Sequence, residues 1–171
     1  MLPYLARLPA VTGGVQFKIT EGMHNLDKQA FGVPRLQGVD KASGADFTLT
    51  ATKTLPNAVC GRPLILAGGL RWSRSAQIGL VGFGDNYKVS GEGSVVCMLT
   101  DDVALGYEFR VKRSQYRNRR GLMASDDNWH DLFVSWGVVE HLTLAGVWSY
   151  IGATGNAVEN CLWGFQVQYG F

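Results

Sequence analysis

The stretch Leu162 to Phe171 constrains the fold more than any other part of the chain. Trp163, Phe165, Val167, Tyr169 and Phe171 occupy every second position, with Gly164, Gln166, Gln168 and Gly170 between them. In an extended strand, successive side chains point to opposite faces. One face of this segment is therefore wholly apolar or aromatic, and the other carries only glycine and amide. A helix would scatter the same residues around its circumference, so the stripe specifies a strand with two unlike faces.

The same period recurs along the chain in segments of roughly nine to eleven residues, the length a tilted strand needs to cross a bilayer. The predicted strands are Pro9–Thr20, Gly44–Leu55, Leu64–Ser73, Tyr87–Leu99, Val103–Lys112, Trp129–Val138, Leu142–Ile151 and Trp163–Phe171. In the second, Phe47, Leu49 and Ala51 oppose Asp46, Thr48, Thr50 and Thr52. In the fifth, Val103, Leu105, Tyr107, Phe109 and Val111 oppose Glu108, Arg110 and Lys112. The connections alternate in length: residues 21–43, 74–86, 113–128 and 152–161 are long, whereas 56–63, 100–102 and 139–141 are short. The short set and the C-terminus fall on one side.

That rhythm predicts an all-β fold, an up-and-down antiparallel transmembrane β-barrel with about eight strands in a single domain spanning residues 1–171. Membrane barrels of the bacterial outer membrane have short turns on the periplasmic side and longer extracellular loops. Glycine, at 22 of 171 residues, suits close-packed strands and tight turns. Mean hydropathy is near zero, as alternation would give, and no apolar run is long enough for a transmembrane helix. The outward faces place Trp72, Trp148, Tyr150 and Trp163 at the extracellular end and Trp136, Tyr169 and Phe171 at the periplasmic end. Two aromatic girdles at the headgroup level are the expectation. The opposite face carries Lys18, Asp46, Arg71, Glu92, Glu108, Arg110, Lys112 and Asp131, the predicted lumen lining, either interlocked as a plug or lining a narrow pore.

Several stretches resemble an uncharacterised proteobacterial family of outer-membrane β-barrel proteins, a domain of unknown function. They include Val33-Pro34-Arg35, Lys41-Ala42-Ser43-Gly44-Ala45-Asp46-Phe47, Ala51-Thr52-Lys53, Leu80-Val81-Gly82-Phe83-Gly84-Asp85, Glu92-Gly93-Ser94, Leu99 to Lys112 and Asp126 to Asp131. The resemblance runs from about Pro9 to Phe171 and is most specific over Leu99–Lys112. It implies a bacterial outer-membrane location, assembly through the C-terminal strand by the barrel assembly machinery, and correspondence to the C-terminal two thirds of longer relatives. Those relatives carry a signal peptide and further glycine-rich strands upstream. The opening Met1–Pro9 has no basic start, long apolar stretch or cleavage site. The expectation is thus a chain whose signal and first strands lie upstream, and whose eight strands are all of a small barrel or part of a larger ring. The family supplies no activity.

No catalytic motif stands out. Gly82-Phe83-Gly84 and Gly91-Glu92-Gly93 lack the third glycine and the helix of a phosphate cradle. His24, His130 and His141 are isolated, and Cys60, Cys97 and Cys161 have no metal-ligand spacing. No cofactor or metal is expected, and the three cysteines read as free, with one Cys60–Cys97 bridge as the alternative. Formal charge is +2, from 16 basic and 14 acidic residues, and does not suggest nucleic acid. Arg113, Arg117, Arg119 and Arg120 follow the fifth strand on the extracellular side, where guanidinium groups suit lipopolysaccharide phosphates. The function expected is a structural or narrow-pore, porin-like role without enzymatic chemistry in a Gram-negative outer membrane, with the lipid bilayer as partner. One alternative is a soluble lipocalin-like barrel holding a small apolar ligand, with the apolar stripe turned inward. The other is an outer-membrane lipid hydrolase or acyltransferase built on His130 beside Ser125, Asp126, Asp127 and Asp131.

Overall fold

The structure, a computed structural model, describes residues 8–79, 82–116, 126–154, 157–159 and 161–170. In chain order the elements are β1 (Ala10–Ile19), α1 (Met23–Gln29), α2 (Val33–Leu36), β2 (Val39–Lys41), β3 (Ser43–Val59), β4 (Arg62–Ser75), a 3-10 turn (Gln77–Gly79), β5 (Phe83–Met98), β6 (Val103–Arg110), β7 (Trp129–Val139), β8 (Leu142–Tyr150), β9 (Gly152–Thr154), β10 (Ala157–Glu159) and β11 (Leu162–Tyr169). Eight long strands pair antiparallel in the order β1-β3-β4-β5-β6-β7-β8-β11, and β2 adds to the start of β5. The fold is all-β and up-and-down, as the alternation predicts.

Each short turn closes a hairpin at one end of the sheet. Between β3 and β4, Val59 pairs with Arg62, so only Cys60 and Gly61 turn the chain. Both have positive φ, 49° and 75°, the sense that matches the twist of the flanking strands. In the β5–β6 turn, Thr100 Oγ1 accepts hydrogen bonds from the backbone N–H groups of Asp102 and Val103. Gly170 N–H donates to the His141 carbonyl at 2.9 Å, which puts the end of β11 at this same rim.

The sheet curls toward its polar face. Thr50 on β3 and Asp131 on β7 line one pocket of about 280 Å³, although four strand spacings would hold them roughly 19 Å apart in a flat sheet. The curl stops short of a ring. β1 pairs only with β3, and β11 only with β8. The closed barrel expected from the sequence is thus an open sheet among the described residues, with both edge strands exposed along nearly their whole length. Closure depends on strand tilt and shear, and side-chain alternation encodes neither.

Two further expectations change. Residues 21–43, read as a loop, hold α1, α2 and β2. Helices this short do not form on their own. Here Asp27 accepts the Arg35 backbone N–H at 3.0 Å, and Met23 and Val39 are buried with Ala45, Ala76 and Phe83 as the apolar core of the long-loop rim. The strand predicted to reach Lys112 ends at Arg110, because Val111 N–H bonds back to Gly91 and Lys112 N–H to Asn128 Oδ1. Cys60, Cys97 and Cys161 are free, as the sequence reads them, and the alternative Cys60–Cys97 bridge is not formed.

Candidate functional site

The polar face carries the most organised set of side chains. Direct cross-strand neighbours in the register are Gln16 and Asp46, Thr48 and Arg71, Arg71 and Ser90, Glu92 and Arg110, Ser94 and Glu108, and Glu108 and Asp131. Every charge predicted for the interior of the strands therefore shares one face. Five of them form a continuous chain across β1 to β6. Lys18 Nζ lies 2.7 Å from Asp46 Oδ2, Arg71 reaches that oxygen at 3.3 Å, and Arg71 and Arg110 each put Nε 3.3 Å from Glu92 Oε2.

Asp46 is the anchor. It is 2% exposed, and a buried charge persists only where its oxygens are fully partnered. Oδ2 takes Lys18 and Arg71, while Oδ1 accepts from the hydroxyls of Ser73 and Ser75. Ser73 and Ser75 were not singled out from the sequence. Their signal was present, since they share parity with Arg71, but alternation names a face and not a partner.

Glu108 and Asp131 lie on the same face farther along and are not joined to the chain; they face each other across the β6–β7 pair. Lys112 reaches the site from outside the strand, with Nζ 4.0 Å above the Trp129 ring. Burial lowers its pKa from the ordinary lysine value, Asp126 pulls it back up, and Arg110 lowers it again. The segment 111–116 folds back over the polar face, with Gln115 Nε2 donating to the Ser73 carbonyl at 3.2 Å and Lys88 Nζ to the Ser114 carbonyl. Trp129, also missed in the sequence, lies on this face with its indole N–H buried and without an acceptor. Arg113 is exposed at the rim, and Arg117, Arg119 and Arg120 lie outside the described residues.

The opposite face is apolar and open. Val15, Phe17, Leu49, Leu70, Val89, Leu132, Val134, Phe165 and Val167 are all exposed. Of the residues predicted to form girdles, Trp72 is 52% exposed, Trp136 49%, Trp163 71% and Tyr169 57%. Trp148 and Tyr150 are half-buried, and Phe171 lies outside the described residues. Trp163 pairs directly with Trp148. Near the long-loop end, Phe47, Trp72 and Tyr87 form a trio with ring centroids 5.2–6.0 Å apart. Farther along the same face His130 contacts Phe109 and Tyr150 and shares a 2.7 Å hydrogen bond with the Tyr107 hydroxyl.

That placement separates His130 from Asp131, one of the acids expected to assist it. Asp131, the next residue, faces the opposite side of the strand, and Asp127 accepts the backbone N–H of Ala153 at 2.9 Å. Ser125 lies outside the described residues. The described residues hold no cluster of metal-ligating side chains, and no described helix is long and apolar enough to cross a membrane.

Neither the curated proteins nor the solved structures contain a match to this chain. A protein-family model does match, over residues 4–166. The all-β chain with its paired polar face and bare apolar face therefore belongs to DUF3034, a family described as a protein of unknown function.

Proposed function

We propose that the chain is an integral outer-membrane β-barrel protein, with the apolar face against lipid, the ion-paired face lining a narrow lumen, and the sheet closed once it is in the bilayer. One observation carries the reading: a continuous apolar and aromatic face left uncovered on a curled sheet. Fully burying one such side chain is worth about 1.5–3 kcal/mol. A dozen left half-exposed would forgo roughly 10–20 kcal/mol, comparable to the whole net stability of a domain, about 5–15 kcal/mol. Lipid supplies the missing cover.

The charge distribution agrees with that orientation. A lysine or arginine on the lipid face costs about 2–4 kcal/mol at the midplane, and the charged strand residues gather on the polar face. Lys53 and Arg74 are exceptions by register: a lysine stem is long enough to carry its amine toward the nearby turn end, and the Arg74 guanidinium lies over the Tyr87 ring at the long-loop end. A lipocalin-like protein needs an apolar inner face, whereas the inside of this curl holds Lys18, Asp46, Arg71 and Glu92. In the same reading, Arg113 with Arg117, Arg119 and Arg120 contacts lipopolysaccharide phosphates at the mouth, and the C-terminal strand is the segment the assembly machinery engages.

The test is tryptophan fluorescence of single-tryptophan variants folded into lipid vesicles, with quenchers attached to lipid at graded depths. Trp72, Trp136, Trp148 and Trp163 should be quenched most strongly at the interfacial depth, and Trp129 least. Tryptophans indifferent to every lipid quencher would remove the membrane reading.

A further inference from the structure

We propose that the long-loop mouth of the polar face is a binding site for a phosphate group, built from Lys88, Arg110, Lys112 and Arg113 on one side of the Asp46-centred ion-pair chain. The inference deepens the proposed lumen by naming its solute, and it rests on that reading only for the idea that the solute passes onward.

The cations of this mouth differ in how fully their donors are used. A pocket of about 330 Å³ opens here, within the range of small-molecule sites. Its basic side chains are Lys18, Arg71, Lys88, Arg110, Lys112 and Arg113; its carboxylates are Asp46 and Asp126. Asp46 is saturated by Lys18, Arg71, Ser73 and Ser75 and has no acceptor capacity left. Arg71 spends its whole fork on Asp46 and Glu92.

Arg110, Lys88 and Arg113 have donors to spare. Arg110 meets Glu92 through Nε, leaving its two terminal amino groups without a partner among the described residues. Lys88 gives one donor to the Ser114 carbonyl and keeps others. Arg113 has no polar partner among the described residues, and Lys112, which Asp126 also attracts, is held over Trp129 close to Arg110. Cations crowded this way repel one another, and a multiply charged oxyanion relieves the repulsion while accepting several charge-assisted hydrogen bonds at once. A single halide offers neither the charge nor the spread of acceptors. The buried, unpaired indole N–H of Trp129 adds a neutral donor beside Arg110.

The experiment is calorimetric titration of the full chain, folded in zwitterionic detergent, with inorganic phosphate against chloride at matched ionic strength. Phosphate should bind saturably and chloride should not. Lys88→Gln/Lys112→Gln should weaken phosphate about tenfold or more, the loss of one or two charge-assisted contacts. Arg62→Gln, at the opposite rim in a pair with Asp101, should leave it unchanged. If the double variant does not fold, Arg113→Gln, which has no described partner to lose, repeats the test with an expected weakening of about threefold. Phosphate without effect, but short-chain phosphatidylglycerol micelles bound and weakened by the same substitutions, would place the phosphate on a lipid headgroup. Binding of neither probe, or binding indifferent to the substitutions, overturns the proposal. Quenching by lipid is read on the chain folded into vesicles: its failure removes the membrane reading alone, and absent phosphate binding by a chain that passes it removes this site alone.

Discussion

The two halves of the polar face solve the same problem in opposite ways. Across β1, β3, β4 and β5 the inward positions carry Lys18, Asp46, Arg71 and Glu92, linked oxygen to nitrogen, with hydroxyls filling the remaining acceptor sites. Across β7, β8 and β11 they carry Ser135, Ala145, Val147, Ser149, Gly164 and Gln166 around an open pocket, and the charges that line it among the described residues, Glu108 and Asp131, are of like sign and directly opposed. The halves also differ at the rim, where the first is covered by α1, α2 and β2 over Phe83 and Val39. The lesson is that alternation gives both halves a polar face, but only the first has charges whose register brings opposite signs together. One half is held by electrostatics, the other by steric fit.

The largest way to break the contrast is at Asp46. Replacing it with alanine strands Lys18 and Arg71 beside a vacated acceptor in a site almost closed to water. The expected cost is about 3–5 kcal/mol, seen as a lower urea midpoint for the detergent-folded protein. The matching change in the other half, Asp131→Ala, removes a carboxylate with no cation to strand and should stay within about 0.5 kcal/mol. Equal losses at the two positions would mean that the ion-pair chain has no special structural weight.

The steric half is tested at Gly106. Its register partner is Phe133, whose ring lies over the glycine so closely that an added Cβ would sit 2.1 Å from the ring Cζ. Gly106→Ala has to displace the ring and should cost about 1–3 kcal/mol. In a double-mutant cycle, most of that cost should vanish on a Phe133→Ala background, and full additivity would show that the ring does not rest there. On the apolar face, Tyr107→Phe deletes the 2.7 Å bond to His130 and keeps the ring. A loss of about 0.5–1.5 kcal/mol is expected, whereas the trio of Phe47, Trp72 and Tyr87 has no such bond between its rings to lose.

How much of this was legible beforehand follows from what a period of two encodes. The eight strands, their faces, the alternation of loop lengths and the shared face of Asp46, Arg71, Glu92 and Arg110 could all be read from the sequence, because each is a local or parity property. The pairing of Asp46 with Lys18 and Ser75 could not, since it depends on register and on a rim bulge between Ser73 and Ser75. The helices in 21–43 were hidden because α1 and α2 are too short to show a helical stripe and are held by contacts with each other and with β2. Trp129 was read with the alternating strand Trp129–Val138 but not assigned to a face. It opens β7 opposite Arg110, and only that register puts it under Lys112.

The smallest expected effect is the most pointed for the comparison. Glu108 and Asp131 are cross-strand neighbours of like charge, an arrangement that costs stability where a pair of opposite sign would add it. Glu108→Gln should therefore raise the urea midpoint, by roughly 0.2–1 kcal/mol, with the gain shrinking as salt screens the repulsion. The same Glu-to-Gln change at Glu92 removes a carboxylate that Arg71 and Arg110 share and should lower it. Opposite signs for one chemical substitution, at neighbouring positions on one face, would follow directly from which half has its charges partnered; a shared sign would mean that the face responds only to its total charge.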